Sequence, residues 1–406
     1  MTLKEILSAM ASSIKNNYVS KKELGDLAKH YSYIIDFSKS NPASMITYAD
    51  DSDAAAMSTD WFNILGLKLC VLKDGKVLYY LNPNNVTKQI NGAAADITTL
   101  GNDVMLEIPR MGTDCMWLDS NRLKITITTA PNRAGYDYRA FSLHKYNDCD
   151  KIYIGRYHTY ITENKAYSSS GKKPSNYISL DNFRTCSRNR GAEYTDIGIC
   201  DNILLQCLYL LIVKNFNSQA IIGRGISDTG RVTVDHINGG ANTFGWLNMK
   251  STNKNSGTTA ICCLGIENLW GGLWTREDGC LRNSSRQWYM AQYADQYNNN
   301  GTGYEYIGET SATSQGFLGR FVGLPKFIFL TDATSVAANN RGDTTYICDL
   351  QWVNESYTVY PAQGGWGPDG GCNGVFAFSI DRPDDDAGFV FFGSRLVYKH
   401  VEGGGA

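Results

Sequence analysis

The sequence carries little charge, and neither sign is in surplus. Charged residues make up 19% of the 406 positions, with 38 Lys and Arg against 40 Asp and Glu. This balance offers no electrostatic footprint to nucleic acid or to an anionic membrane surface. The longest apolar run, from Ile203 to Val213, is interrupted by Gln206 and is too short to cross a bilayer. We therefore expect no nucleic-acid partner and no membrane insertion.

Motifs of the common catalytic and cofactor sites are also missing. There is no G-x-S-x-G elbow and no Walker loop, and the Gly223-Arg224-Gly225 string lacks the third glycine of a dinucleotide site. The five histidines are far apart, without zinc-ligand spacing and without a C-x-x-C partner. The acidic clusters near Asp51 and Asp385 are more typical of solvated turns than of calcium sites. We expect a non-enzymatic protein with no catalytic residue, metal or cofactor.

The eleven cysteines do not form an evident disulfide framework. Their number is odd, they are scattered, and Cys262 and Cys263 are adjacent. We expect mostly buried thiols. No apolar stretch follows a basic start at the N-terminus, so we expect synthesis in a host cytoplasm without a signal peptide.

Abundant Gly (40) and Tyr (25) favour a turn-rich fold with aromatic packing. Residues 1–42 are predicted to form a helical attachment or oligomerisation segment, because capping boxes begin at Thr2 and Ser20. Apolar residues from Leu3 to Ile14 recur at helical spacing. Either another subunit, for example in a homotrimer, or the body of the same chain would cover this stripe.

The rest of the chain divides into a small β-rich region, 43–103, and a larger domain, 104–406. In the first, two apolar runs flank Asp74-Gly75 as in a hairpin. In the second, helices are predicted at about Leu180–Arg190, between Ser179 and Gly191, and at about Ile197–Asn215. Short strands are predicted at Val104–Ile108, Leu123–Thr128, Ile152–Tyr160, Ala260–Ile266, Tyr346–Trp352, Val375–Ile380 and Arg395–Tyr398.

Two strings carry a resemblance to a known family. The first runs from Gly265 to Trp274 (GIENLWGGLW) and the second is Gly393-Ser394-Arg395-Leu396-Val397, preceded by Gly364-Gly365-Trp366 and Gly374-Val375-Phe376. They resemble variable proteins of diversity-generating retroelements in phages and prophages, and the similarity covers about residues 65 to 400. The resemblance implies an α+β fold: a C-type-lectin-like domain with short antiparallel strands, two helices and long loops, after a helical segment and a β-hairpin region.

The resemblance also implies a function and a variable region at about 364–398. Retroelements of this kind randomise adenines, chiefly in Asn codons, which cannot become Lys, Glu, Gln or Met codons. None of these four residues occurs from Gly364 to Tyr398, although about four are expected from the overall composition. The implied protein is a phage-tail adhesin in the virion, with tail components as partners and a bacterial surface receptor, protein or glycan, as its ligand.

Alternation from Val375 to Ile380 places the phenylalanines on the core face and predicts that Ala377, Ser379 and Asp381 point outward. The candidate ligand-binding residues are Trp366, Asp369, Cys372, Asn373, Ala377, Ser379, Asp381, Arg382, Asp384, Asp385, Asp386, Phe389 and Phe391. Three alternatives stay open: a bacterial cell-surface adhesin of the same family, a structural tail subunit, and an oxidase like the formylglycine-generating enzymes, which share the implied fold. The oxidase would need a reactive cysteine pair, for which Cys348 and Cys372 are the nearest candidates.

Overall fold

A computed structural model describes residues 29–53, 60–145, 147–228, 236–249, 257–310, 315–331, 344–353, 358–365, 371–382 and 390–401. The helices expected in residues 1–28 lie outside these ranges. Among the described residues, 37% are in strands and 13% are in helices.

The strands are numbered in chain order. The first thirteen are β1 His30–Asp36, β2 Ile46–Tyr48, β3 Lys68–Lys73, β4 Lys76–Asn82, β5 Asn85–Gln89, β6 Asp103–Pro109, β7 Gly112–Trp117, β8 Arg122–Thr128, β9 Ser142–His144, β10 Asn147–Asp148, β11 Lys151–Gly155, β12 Tyr160–Thr162 and β13 Lys165–Tyr167. The others are β14 Tyr194–Asp196, β15 Leu247–Met249, β16 Ile261–Cys263, β17 Ile266–Glu267, β18 Trp274–Arg276, β19 Cys280–Arg282, β20 Gln287–Met290, β21 Glu305–Glu309, β22 Gly316–Phe317, β23 Leu350–Val353, β24 Ala362–Gln363, β25 Phe378–Ile380, β26 Phe392–Gly393 and β27 Leu396–His400. The α-helices are α1 Trp61–Ile64, α2 Leu180–Arg188, α3 Ile199–Val213 and α4 Ser218–Ile221.

An antiparallel four-stranded sheet, in the order β2-β1-β8-β7, contains the start of the described chain. Tyr33 lies opposite Ile125 in this sheet, and both side chains are buried. Residues 30–36 were expected to be helical, so the expectation is wrong for this stretch. Alternate residues of β1 enter the core, which is the two-residue period of a strand and not the helical period.

The seven-stranded sheet is antiparallel throughout, in the order β14-β27-β11-β6-β3-β4-β5. Its β3–β4 hairpin confirms the predicted turn, where Asp74 and Gly75 both have positive φ. Both faces of its central strands are buried. The boundary expected at 103/104 falls at the start of β6, inside this sheet.

Helix α3 is buried along almost its whole length. The hydroxyls of Tyr33 and Tyr48 donate to the carbonyls of Cys207 and Leu211, at 3.2 Å and 3.1 Å. These bonds join the helix to the four-stranded sheet, and its apolar side chains share one core with the inner face of the seven-stranded sheet. The helix was predicted from its apolar run, and the prediction is confirmed. So is α2, whose Ser179 Oγ accepts from the Asn182 amide at 3.3 Å.

The glycine-rich half of the chain forms smaller sheets. A six-stranded sheet has the order β22-β23-β25-β24-β18-β26 and includes two parallel pairs, β23 with β25 and β18 with β26. Two three-stranded sheets, β15-β16-β17 and β19-β20-β21, lie nearby in the sequence. Three of the four expected strands of this half, Ala260–Ile266, Tyr346–Trp352 and Val375–Ile380, are present in shortened form, whereas Arg395–Tyr398 is present as β27, Leu396–His400.

The predicted fold class, an α+β C-type-lectin-like domain, is wrong. The described residues form mostly β-sheet, and they do not form a single small lectin domain. The strings that carried the resemblance specify local turns and buried polar contacts. They do not specify the two large antiparallel sheets, most of whose strands come from residues 30–155.

Candidate functional site

The two strings that carried the resemblance meet in the core. The guanidinium of Arg395 is fully buried and donates to the backbone carbonyls of Glu267 at 2.8 Å, Asn268 at 2.5 Å and Arg156 at 3.1 Å. Desolvation lowers the pKa of Arg395, and the Glu267 carboxylate acts in the opposite direction. Because one guanidinium satisfies several carbonyls, it ties β27 to the turn after β17.

Glu267 and Trp270 continue this buried network. The Glu267 carboxylate accepts from the amides of Gly239 at 2.8 Å and Ala241 at 2.7 Å. The indole of Trp270 donates to the Gly223 carbonyl at 2.9 Å. All residues of the GIENLWGGLW string are buried, so the string forms part of the scaffold, as predicted from its tryptophans.

A pair of buried histidines lies beside Arg395. Arg395 Nη2 is 3.2 Å from His158 Nε2, and the ring centroids of His158 and His236 are 5.6 Å apart. The guanidinium disfavours a second positive charge beside it, so the neutral form of His158 is favoured. Desolvation, followed by the charge of Arg395, lowers the pKa of both rings, that of His236 to about 4. Both rings are therefore uncharged at neutral pH.

The C-terminal segment, residues 364–398, begins against this scaffold. The carbonyl of Gly364 accepts from the Gly271 amide at 3.0 Å, and the Gly364 amide donates to the Ala377 carbonyl at 3.1 Å. Gly271 and Gly364 have φ of +79° and +92°, and a Cβ on either would lie 2.7 Å from a backbone atom. Glycine is required at both because the backbones approach closely at a left-handed conformation.

Side chains of other elements form hydrogen bonds with the backbone of residues 371–382. The Phe376 amide donates to Asp349 Oδ2 at 2.8 Å, and Gln206 of α3 donates to the Val375 carbonyl at 3.0 Å. Gln219 of α4 also donates to the Asn373 carbonyl. Burial raises the pKa of Asp349 to about 7, although the bond from Phe376 lowers it in part. The backbone of this stretch is thus determined by groups that lie far away in the sequence.

Three of the predicted contact residues are buried, so the prediction that they face outward is wrong. Asn373 and Ala377 are fully buried, and Ser379 is 4% exposed. The phenylalanine face is in the core as predicted, because Phe378 stacks on Trp288. The other face is covered too, because Ala377 packs in a cluster with Trp274 and Phe392.

The remaining predicted residues divide into two groups. Asp381 and Arg382 form an ion pair at 3.5 Å, with side chains 25% and 43% exposed, while Cys372 and Phe391 are half-buried. The structure therefore brings Ser379 and Asp381 together, through a 2.6 Å hydrogen bond, beside Arg382. The others lie outside the described residues: Trp366, Asp369, Asp384, Asp385, Asp386 and Phe389.

Sequence reasoning missed a cleft of about 680 Å³ on another part of the molecule. Its lining includes residues of the Asn132–Ser142 segment together with Gln292, Tyr293, Glu305 and Lys326. Its volume falls within the range of about 300–1,000 Å³ typical of small-ligand pockets. A signal existed in the sequence, because Tyr136, Asp137, Tyr138 and Arg139 are consecutive and combine aromatic with planar polar groups.

Other chemical sites were tested against the described residues. No group of three or more His, Cys, Asp or Glu side chains there is placed to share a metal ion. All eleven cysteines are free thiols; nine are buried, and Cys200 and Cys372 are half-buried. The prediction of mostly buried thiols is thus confirmed. In the same ranges, no helix has the length and apolarity that crossing a membrane requires.

No protein-family model and no curated protein sequence matches this chain. The resemblance to retroelement-diversified proteins therefore stays a prediction.

Proposed function

We propose that this chain is a non-enzymatic binding protein of a phage tail, which recognises a bacterial surface receptor through residues 364–398. The observation that supports this proposal is the alternation of firmly anchored positions with the positions left for contact. Gly364, Phe376 and Val375 are fixed by hydrogen bonds to distant elements. A recognition surface needs such a framework, because side chains held on a rigid backbone bind without a large ordering cost.

The anchors continue to the end of the segment. Strand β26 pairs in parallel with β18, and β27 lies between β14 and β11 in the seven-stranded sheet. Residues 366–370 and 383–389 include six of the thirteen candidate residues. The described residues that flank each of these two spans have an anchored backbone. Substitutions at Asp381 and Arg382 would leave the core packing intact, because these side chains are 25% and 43% exposed.

Burial narrows the set of contact residues. A change at Asn373, Ala377 or Ser379 would disturb a packed interior before it altered a surface. We therefore retain Cys372, Asp381, Arg382 and Phe391 among the described residues. An oxidase of the formylglycine-generating type is disfavoured, because Cys348 is buried and reactive cysteines are partly exposed.

The retroelement history is a separate part of the proposal, supported by the absence of Lys, Glu, Gln and Met from 364–398. Its test is genomic. We expect a reverse-transcriptase gene beside a near-copy of the coding segment for 364–398, differing at adenines. If the neighbourhood lacks both, diversification is ruled out and a binding protein of fixed sequence remains.

The binding role is tested by adsorption of the full-length protein to cells of the host bacterium. We expect the double variant Asp381→Ala/Arg382→Ala to bind at least about tenfold more weakly, because surface Arg residues are frequent binding hot spots. The matched control is Asp119→Ala/Arg122→Ala, another exposed Asp–Arg pair, at 2.6 Å. Equal adsorption of both variants and the unmodified protein, with unchanged thermal stability, would contradict the proposed site.

A further inference from the structure

The cleft beside the Asn132–Ser142 loop has walls that are already in place. The hydroxyl of Tyr138 donates to the Ala130 carbonyl at 2.7 Å and accepts from the Arg133 amide at 3.0 Å. The guanidinium of Arg110 lies 4.8 Å from the centre of the Tyr138 ring and donates to the Pro131 carbonyl at 2.6 Å. A ligand would meet aromatic and planar polar groups whose orientation is set before it arrives.

The charges of the cleft are largely neutralised from within. Arg139 pairs with Asp137 through Nη2 and Oδ2 at 2.7 Å, with a second bond from Nε to Oδ1 at 3.0 Å. Lys326 pairs with Glu305 at 2.5 Å. A phosphate or a polyanion would have to compete with these carboxylates for the cations. The third cation of the lining, Arg110, donates to the carbonyls of Pro131 and Cys149 and to Asn132 Oδ1. The cleft therefore favours neutral ligands over strongly anionic ones.

The lining is equally unsuited to a purely apolar ligand. Asn132, Gln292 and Ser142 add amide and hydroxyl groups that both donate and accept, and the two carboxylates add acceptors. Tyr136 and Tyr293 add half-buried aromatic side chains. A ligand that satisfies this combination carries many hydroxyl groups together with flat C–H faces that stack on aromatic rings.

We propose that this cleft is a binding site for a neutral saccharide. The pyranose ring has the required chemistry: its C–H face stacks on tyrosine, and its hydroxyls exchange hydrogen bonds with planar polar side chains. Tyr136 and Tyr293 are the stacking groups, and Gln292, Asp137 and Glu305 bind hydroxyls. The site lies outside residues 364–398, so this inference goes beyond the proposed receptor site and does not depend on it.

The first test is direct binding by the full-length protein. A glycan array selects a saccharide, and titration calorimetry then compares it with lactose, maltose and N-acetylchitobiose as neutral probes and with sialyllactose and inorganic phosphate as anionic probes. We expect at least one neutral saccharide to bind. Absence of saccharide binding, or binding of the anionic probes alone, would overturn the proposal.

Variants locate the site. We expect Tyr136→Ala and Gln292→Ala each to weaken saccharide binding about tenfold. The matched control, Tyr177→Ala, removes a tyrosine that is 54% exposed and does not line the cleft. Equal affinity of all three variants would place the saccharide elsewhere and refute the proposal.

A footprint on the unmodified protein gives the same information without a substitution. Lys326, whose side chain is 50% exposed, and Lys39, at 44%, both pair with a carboxylate and differ in that only Lys326 lines the cleft. We expect saturating saccharide to slow acetylation of Lys326 at least about threefold and to leave Lys39 unchanged. Equal rates at Lys326 with and without bound saccharide would overturn the assignment. Receptor adsorption by residues 364–398 is read separately, so either proposal can fail alone.

Discussion

Replacing Asp349 by asparagine should change how the stability of this protein depends on pH. Asp349 is buried beneath the C-terminal segment, where its Oδ2 accepts from the Phe376 amide at 2.8 Å. Desolvation raises the pKa of its carboxyl from 3.8 to about 7. Between these two values, the folded protein holds a proton that the unfolded chain has already released.

The sign and the size of the change in the free energy of unfolding follow from the linkage between proton binding and folding. Because the folded state binds the additional proton, the contribution of Asp349 to stability is greatest in acid and is lost as the pH rises through about 7. A shift of roughly three pH units corresponds to about 4 kcal/mol in all, of which about 3 kcal/mol falls between pH 5 and pH 8. The amide side chain of the variant would have no proton to lose, so the stability of the variant relative to the unmodified protein should rise by about 3 kcal/mol over that interval.

The assay is urea denaturation of both proteins at pH 5, 6, 7 and 8, followed by tryptophan fluorescence. Other titrating groups are common to both proteins and cancel in the difference between their free energies of unfolding. Asp119→Asn is the control, because Asp119 is exposed and hydrogen bonding lowers the pKa of its carboxyl. A difference between Asp349→Asn and the unmodified protein that stays constant from pH 5 to pH 8 would refute the reasoning.

Two further predictions concern the scaffold, and both are read from free energies of unfolding. Gly271→Ala should lower the free energy of unfolding by more than about 2 kcal/mol, because its φ is +79° and the new Cβ would lie 2.7 Å from the Ile226 amide nitrogen. Gly92→Ala, at φ +88° with no atom within 4 Å, should lower it by about 1 kcal/mol. Equal losses in the two variants would contradict the close approach at Gly271. Lys399 pairs with Asp201 at 2.7 Å in the unmodified protein, and both side chains are fully buried. Lys399→Met should lower the free energy of unfolding by about 3–5 kcal/mol, because it leaves Asp201 as an unpaired buried charge. Lys39→Met removes an exposed pair with Asp36 at 3.7 Å and should cost less than about 1 kcal/mol; a similar loss in both variants would show that burial of the Lys399 pair is not decisive.

Local chemistry was well predicted from the sequence. The Asp74-Gly75 hairpin, the Ser179 cap of α2, the buried helix α3 and the core position of Phe376, Phe378 and Ile380 all follow from short-range rules. Such rules depend on backbone conformations and side-chain periods that a few neighbouring residues determine. The helical prediction failed at His30–Asp36, where a partner strand from residues 122–128 supplies the hydrogen bonds.

The tertiary structure alone decided which surfaces remain free. The sequence predicted that Ala377 and Ser379 are outward because their neighbours are apolar, but Trp274 and Phe392 cover that face from other parts of the chain. Long-range packing also joined Arg395 to Glu267 and Asn268, and brought Gln292, Glu305 and Lys326 into one cleft with Tyr136. Alternation distinguishes the two faces of a strand, whereas burial depends on what packs against each face. Some of the contacts that decide it, such as that of Trp274 with Ala377, join residues about a hundred positions apart, which no local pattern encodes.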